Sequence, residues 1–391
     1  MLPHVRQLGI CGNVNRGWNV RIGVPKEIKD HEYRVGLTPD SVDEFTASGH
    51  ELSVETGAGV GINATDEAYR AAGAVIVGTA DEIFAKSDLI IKVKEPQERE
   101  WTKLRENQII FAFLHLAANA ALAKGLLDSG CTAVAYETVT GQDGNGLPLL
   151  APMSEVAGRL AIEAAGTALQ HQNGGCGVLL GGVPGVPPAR VTILGGGVAG
   201  TQAARMAIGL GADVTIVDSS LVRLRCLDEL FEGRAKTSFS TRAAIEDAVA
   251  SAVAVIGAVL IPGATAPKLV TERMLSSMRR GAVLIDISID QGGCFESSHA
   301  TTHSAPMFVK GGIVHYCVAN MPGAVPVTST HALNHAMLPY GLFLARGGLS
   351  SLARNPGLRS GLNVHHGHIT HPAIAGSLGC ELKALDAALA A

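Results

Sequence analysis

Four positions in this chain carry side chains that could do chemistry together. Arg34 stands in KEIKDHEYRVGLTP, Lys94 in LIIKVKEP, His115 at the end of IIFAFLH, and either Asp286 or Asp290 in LIDISIDQGGC. Two cations suit a small anionic substrate, and an imidazole moves protons near neutral pH. Taken singly, a lysine after an apolar run is more often a solvated edge, and a histidine inside one a satisfied core residue. Together, each follows an apolar run of strand length, and the carboxyl ends of parallel strands are where clefts form. One of the two aspartates is expected to face that cleft.

A second constellation lies at VTILGGGVAG. Gly195, Gly197 and Gly200 fit G-x-G-x-x-G between a strand pattern and a helical one, VAGTQAARMAIGLGA, and the next strand pattern ends in Asp218. Together these make a dinucleotide fingerprint. Gly195 permits the tight turn, Gly197 lets backbone N–H groups approach a diphosphate, and Gly200 lets the helix pack on the strand. Val198 and Ala199 open that helix, whose N-terminus favours negative charge. Asp218 can accept hydrogen bonds from ribose hydroxyls and repel a 2′-phosphate, which favours NAD. Arg223, nearby, argues the other way, because an arginine can accommodate that phosphate. The run AVAVIGAVLIP places Val259 and Leu260 at the end of another strand. HYCVANMPGAVP places Asn320 and Met321 in an irregular loop at the end of a further one.

These residues need a frame to position them. The chain has 391 residues, which exceeds one ordinary core, so two domains are expected. Aromatics are scarce and glycines number 47, a mix that suits an α/β protein with many tight turns. RIGVPKE, ELSVE, DLIIKVKE, QIIFAFLH and TAVAYETV read as short strands between helical patterns, so a parallel sheet is expected. SEVAGRLAIEAAGTALQ reads as a long helix with Ser154 as its N-cap. A second series follows Val191, and from about Thr328 the chain turns helical and is expected to rejoin the first domain. Residues 1–19 show no period and are expected to be a disordered lead-in.

The net charge of -4 favours neither nucleic acid nor an anionic membrane as partner. The apolar runs are too short to span a bilayer, and the N-terminus lacks a signal-peptide core. Seven scattered cysteines with no CxxC pair read as buried free thiols in a reducing compartment, so a cytoplasmic protein is expected. The tail GLNVHHGHITHP carries His365, His366, His368 and His371. Their spacing fits no zinc module, and a solvated loop is the better reading.

Beyond these physical readings, long stretches resemble alanine dehydrogenases: RIGVPKEIKDHEYRVGLTP, LIIKVKEPQ, FLHLA, LPLLAPMSEVAGR, VTILGGGVAG, GAVLIPGATAPKLV, IDQGGCFE and HYCVANMPGAVPVTST. The likeness runs from about Val20 to Tyr340 and is looser after Gly347. It implies two Rossmann-like domains with parallel sheets. An NAD-binding domain, 149–327, would be inserted into a discontinuous substrate domain, 20–148 and 328–391. It implies a homohexamer that converts L-alanine, NAD and water reversibly to pyruvate, ammonium and NADH. By the same resemblance Arg34 and Lys94 bind substrate, and His115 with Asp290 forms the acid/base pair. Ser154, Asp218, Ile256 to Leu260, Asn320 and Met321 would contact NAD. One departure is Phe113, where the family often has tyrosine two residues before the histidine. The nearest rival is the soluble nucleotide-binding part of a nicotinamide transhydrogenase, against which FLHLA and KVKEP argue. A non-catalytic NAD-sensing protein of the same fold is the other.

Overall fold

A computed structural model describes residues 19–260 and 265–389. The expected disorder of the lead-in falls on residues 1–18, outside the described residues, and residues 261–264 also lie outside them.

Among the described residues, fifteen strands form two sheets. Six come first: β1 (Arg21–Val24), β2 (Glu51–Glu55), β3 (Val75–Val77), β4 (Leu89–Ile91), β5 (Ile109–Ala112) and β6 (Thr132–Ala135). Seven follow: β7 (Arg190–Leu194), β8 (Asp213–Asp218), β9 (Ala235–Phe239), β10 (Ala254–Gly257), β11 (Val283–Asp286), β12 (Met307–Lys310) and β13 (Ile313–Tyr316). The chain then supplies β14 (Leu362–His365) and β15 (His368–Ile369).

The first sheet runs β15-β14-β6-β5-β4-β1-β2-β3, so the last two strands join the first six. The second runs β12-β13-β11-β10-β7-β8-β9. Pairing is parallel except where β12 meets β13, β14 meets β6, and β15 meets β14. Each sheet is apolar on both faces, as parallel strands covered by helices require. Ile22, Leu89, Ile91 and Phe111 face one core, while Ile90, Ile110 and Ala112 face the other. In the second sheet Ile193, Ile216 and Ile285 face one core, and Leu194, Val217 and Leu284 the opposite one. Strand order reverses at β1/β4 in the first sheet and at β7/β10 in the second. Crevices for ligands open at such points, beyond the carboxyl ends of the strands.

Two helices tie the halves together. Helix Ala151–Ala168 buries Ala157, Gly158, Ala161 and Ala165, a face of small residues. A Cβ on Gly158 would lie 2.1 Å from the carbonyl oxygen of Ala199, so only glycine lets helix Val198–Gly209 come this close. Helix Pro326–Gly347 buries Leu333, Met337 and Leu344 in the core of the first sheet.

Some expectations need correction. Ser154 is not an N-cap: the helix begins three residues earlier, where Pro152 fits the first turn, and the Ser154 N–H already bonds Leu150 O at 3.1 Å. The histidine tail is a strand pair, β14 and β15, in place of a solvated loop, and His365 is buried. Among the described residues, no three His, Cys, Asp or Glu side chains could hold a metal. Of the described cysteines, Cys131, Cys294 and Cys317 are buried, while Cys226 and Cys380 are exposed. The exposed pair sits where helix Leu221–Phe231 and the segment after Leu378 turn outward, so the expectation of uniform burial fails. No described helix is long and apolar enough to cross a membrane.

Candidate active site

Arg34, Lys94 and His115 follow β1, β4 and β5, three neighbouring strands at the switch point of the first sheet. The Lys94 Nζ lies 3.5 Å from the His115 Nε2. Burial holds the Lys94 ammonium below its ordinary value, against the pull of Asp290 and Glu95. Burial also holds the His115 imidazole well below its ordinary value; the Lys94 charge adds to this, and Asp290 opposes it. Arg34 acts on both groups in the same sense as burial. All four candidates therefore share one field, and the imidazole is neutral at neutral pH. Asp290 is the exposed member of its pair. Asp286 is fully buried and accepts bonds from the Ser288 N–H, the Cys294 N–H and the Ser298 hydroxyl, so it braces the loop that carries Asp290.

Arg34 is only 2 % exposed. Its Nε donates to Glu32 Oε1 at 2.7 Å and its Nη2 to Glu32 Oε2 at 2.5 Å, a bidentate pair. Nη2 also donates to Asn320 Oδ1 at 2.7 Å, and the Asn320 amide donates to Glu32 at 2.9 Å. Burial pushes the Glu32 carboxyl up, but the bonds and charge of Arg34, then Asn320, outweigh it and hold it at about 2. Nη1 stands outside this ion pair and donates to the Met153 sulfur at 3.0 Å. Asn320 thus serves the arginine, and Met321 packs into the core of the second sheet.

Sequence reasoning missed several supports. His115 sits in the left-handed region at φ 50, uncommon for a residue with a side chain. Glu137 holds it there by accepting its N–H at 2.6 Å, along with that of Leu114. The Phe113 ring lies parallel to the imidazole with centroids 5.8 Å apart, and Tyr136 meets Phe113 edge-on. Beneath, Lys92 bonds Glu27 at 3.0 Å and Glu100 at 2.8 Å, all three buried. Glu27 also accepts the N–H of Val93, which fixes the backbone leading to Lys94. The only signal of this in the sequence is a run of charges, EIKDHEYR and KVKEP, too close to apolar strands to be all solvated.

The second sheet offers the facing crevice. Gly195 has φ +98, and its Cβ would stand 2.6 Å from Ala258 O. A Cβ on Gly200 would lie 1.8 Å from Gly195 O. A Cβ on Gly197, by contrast, meets nothing within 4 Å, and helix Val198–Gly209 has no side-chain cap there. An open, uncapped helix N-terminus behind a closed turn fits a dinucleotide diphosphate. Asp218 ends β8 and accepts the Gly196 N–H at 2.7 Å and the Ser220 N–H at 2.8 Å. Arg223 folds back on the turn, its Nε on Gly196 O at 2.6 Å. Val259 and Leu260 follow β10 next to this turn, and Ser288 bonds both the N–H and the carbonyl of Val259. Ser154 lies one turn before Gly158, on the helix face that meets Ala199.

Two Rossmann-like sheets, with a glycine turn on one and a basic cluster on the other, define a dinucleotide-binding oxidoreductase architecture. Comparisons narrow this. The profile described as "Alanine dehydrogenase/PNT, N-terminal domain" matches residues 23–157, and that described as "Alanine dehydrogenase/PNT, C-terminal domain" matches 161–372. An alanine dehydrogenase of Halomonas elongata is 54% identical over 363 residues, covering 93% of this chain and 98% of that protein. A solved "L-alanine dehydrogenase" superposes with a TM-score of 0.88 at 48% identity, over 92% of this chain and 99% of that one. A solved transhydrogenase from Sinorhizobium meliloti gives 0.75 at 26% identity, over 90% and 99%. The chain belongs to the alanine dehydrogenase/PNT family.

Proposed function

We propose that this chain is a reversible, NAD-dependent L-alanine dehydrogenase, converting L-alanine, NAD and water to pyruvate, ammonium, NADH and a proton. The observation that carries the reading is the shared field at His115: Lys94 3.5 Å away, with Arg34 and Asp290 acting on the same imidazole. When bound, NAD supplies the hydride acceptor and the protein supplies geometry and charge.

The Nη1 of Arg34, exchanging the Met153 sulfur for an oxygen, binds the substrate carboxylate. Arg34 and Lys94 together anchor alanine with its Cα hydrogen turned towards the second sheet, and the Lys94 ammonium binds the oxygen that the reacting carbon gains when water adds and keeps in pyruvate. Such positioning supplies several kcal/mol of the acceleration, on the order of 7 or more in well-oriented cases. His115, neutral at the outset, takes the proton from the water that adds to the imine carbon, and Asp290 balances the imidazolium that results. The same imidazole returns the proton to the departing nitrogen. On the cofactor side Gly195, Gly197, Val198, Ala199 and Gly200 cradle the diphosphate. Asp218 takes the ribose hydroxyls, Ser154, Val259 and Leu260 line the remainder of the crevice, and Asn320 and Met321 support it from behind, Asn320 through Arg34 and Met321 from the core. The working form is a cytoplasmic homohexamer, which light scattering of the purified protein tests for subunit number.

The test is the absorbance of reduced nicotinamide over a panel of amino acids, with NAD and NADP compared. L-alanine with NAD is expected to be the best pair. His115→Ala should lose this activity and keep NADH binding. Absence of alanine-dependent reduction in the parent protein would overturn the reading.

A further inference from the structure

Arg223 stands five residues after Asp218, on the first turn of helix Leu221–Phe231, where a guanidinium could reach a 2′-phosphate on the adenosine ribose. It does not extend there. Its Nε donates to Gly196 O at 2.6 Å, and its Nη2 donates to the Thr201 hydroxyl at 2.6 Å. Thr201 is 7 % exposed, and its own hydrogen goes to the turn carbonyls, Gly197 O at 2.7 Å and Gly196 O at 3.2 Å. With its hydrogen given to the turn, the hydroxyl oxygen has lone pairs left for the guanidinium. A charge-assisted bond of this kind is strong and directional.

We propose that Thr201 determines nucleotide specificity by clipping Arg223 to the glycine turn and so withholding its guanidinium from a 2′-phosphate. This rests on the NAD-dependent reading and goes one residue beyond it. Two devices then act in series. Asp218 repels the phosphate, and Thr201 keeps the guanidinium from compensating. Removing the first leaves the second in force. A 2′-phosphate arriving beside a neutralised Asp218 still finds no partner, because Arg223 is held by two acceptors of the turn.

The experiment is a fluorescence titration of NADPH and NADH, without substrate, on seven proteins: parent, Asp218→Asn, Thr201→Val, Thr201→Ser, Asp218→Asn with Thr201→Ser, the double variant Asp218→Asn with Thr201→Val, and that double variant with Arg223→Ala. Valine keeps the shape and removes the acceptor; serine keeps the acceptor. The double variant should bind NADPH about tenfold more tightly than Asp218→Asn alone, the size of one charge-assisted bond gained. Thr201→Ser in either background should behave like its own parent. Adding Arg223→Ala to the double variant should abolish the gain, which identifies the released guanidinium as its source. A double variant no better than Asp218→Asn overturns the proposal, as does a gain that survives removal of Arg223. Failure of the parent to bind NADH would instead overturn the NAD-dependent reading itself.

Discussion

The roles of Lys94 and Asp290 differ in sign, and the sign is measurable. The His115 imidazole is held down by burial first and by Lys94 second, and is supported by Asp290. Its neutral form is the base, so activity falls as pH drops through its value in the enzyme. Lys94→Met removes a like charge and should move that titration upward, while Asp290→Asn removes an opposite charge and should move it downward. NMR titration of His115 reads both, and shifts in the same direction would sink the arrangement. Lys94→Met should also lower kcat/KM by on the order of a hundredfold, because a charge placed for the reacting oxygen is lost. The residue types and their sequence context announced this cluster. What stayed hidden was support: the Glu137 carboxylate on the His115 N–H and the Glu32 fork on Arg34 are contacts between segments that no spacing reveals. The choice between Asp286 and Asp290 was hidden for the same reason, since only the fold shows which is enclosed.

At the scale of elements, the glycine turn makes two contrasting predictions. At Gly200 a methyl would collide with Gly195 O at 1.8 Å, so the turn must open. Gly200→Ala should cost about 1–3 kcal/mol, read as a lowered unfolding temperature, as overpacking does. At Gly197 the methyl meets no protein atom, and φ is -66, an ordinary value. Gly197→Ala should keep stability within about 0.5 kcal/mol, as a surface change does. It should nevertheless weaken NADH binding about tenfold, because the methyl occupies the approach to the helix N-terminus. Equal loss of stability in both variants would contradict this division of roles. The turn was legible because glycine, strand pattern and following helix all agree there. The short strands β3, with a burial pattern of one exposed and two half-buried residues, and β9, AKTSF, were not legible: neither has an apolar alternation long enough to register. The start of helix Ala151–Ala168 was misplaced because Pro152 and its neighbours satisfy the first turn without a polar cap.

Across the whole molecule, the last strands close the edge of the first sheet, so their chemistry bears on global stability. β14 pairs with β6 across the longest sequence separation in that sheet, and Thr132 Oγ1 lies 2.8 Å from His365 Nδ1 at the join. The tail's four histidines suggested solvent exposure. Yet LNVH is buried throughout, since Leu362 and Val364 pack in the cores and carry His365 in with them. Burial, with His366, Lys383 and His368 nearby, lowers this imidazole from 6.5 to about 4. The sign follows from proton counting. Between those values the unfolded chain holds a proton that the folded one does not, so stability falls as pH drops from 6.5 towards 4 and is unaffected above. The group should remove about 2 kcal/mol on going from pH 7 to about pH 5. His365→Gln keeps an acceptor for Thr132 and cannot take a proton. In a Trp18→Phe background, urea unfolding followed by Trp101, which packs beside Gly125 in the first half, should show the parent losing more midpoint than the variant over that interval. Parallel losses in the two proteins would mean that His365 is solvated and that β14 does not seal the sheet.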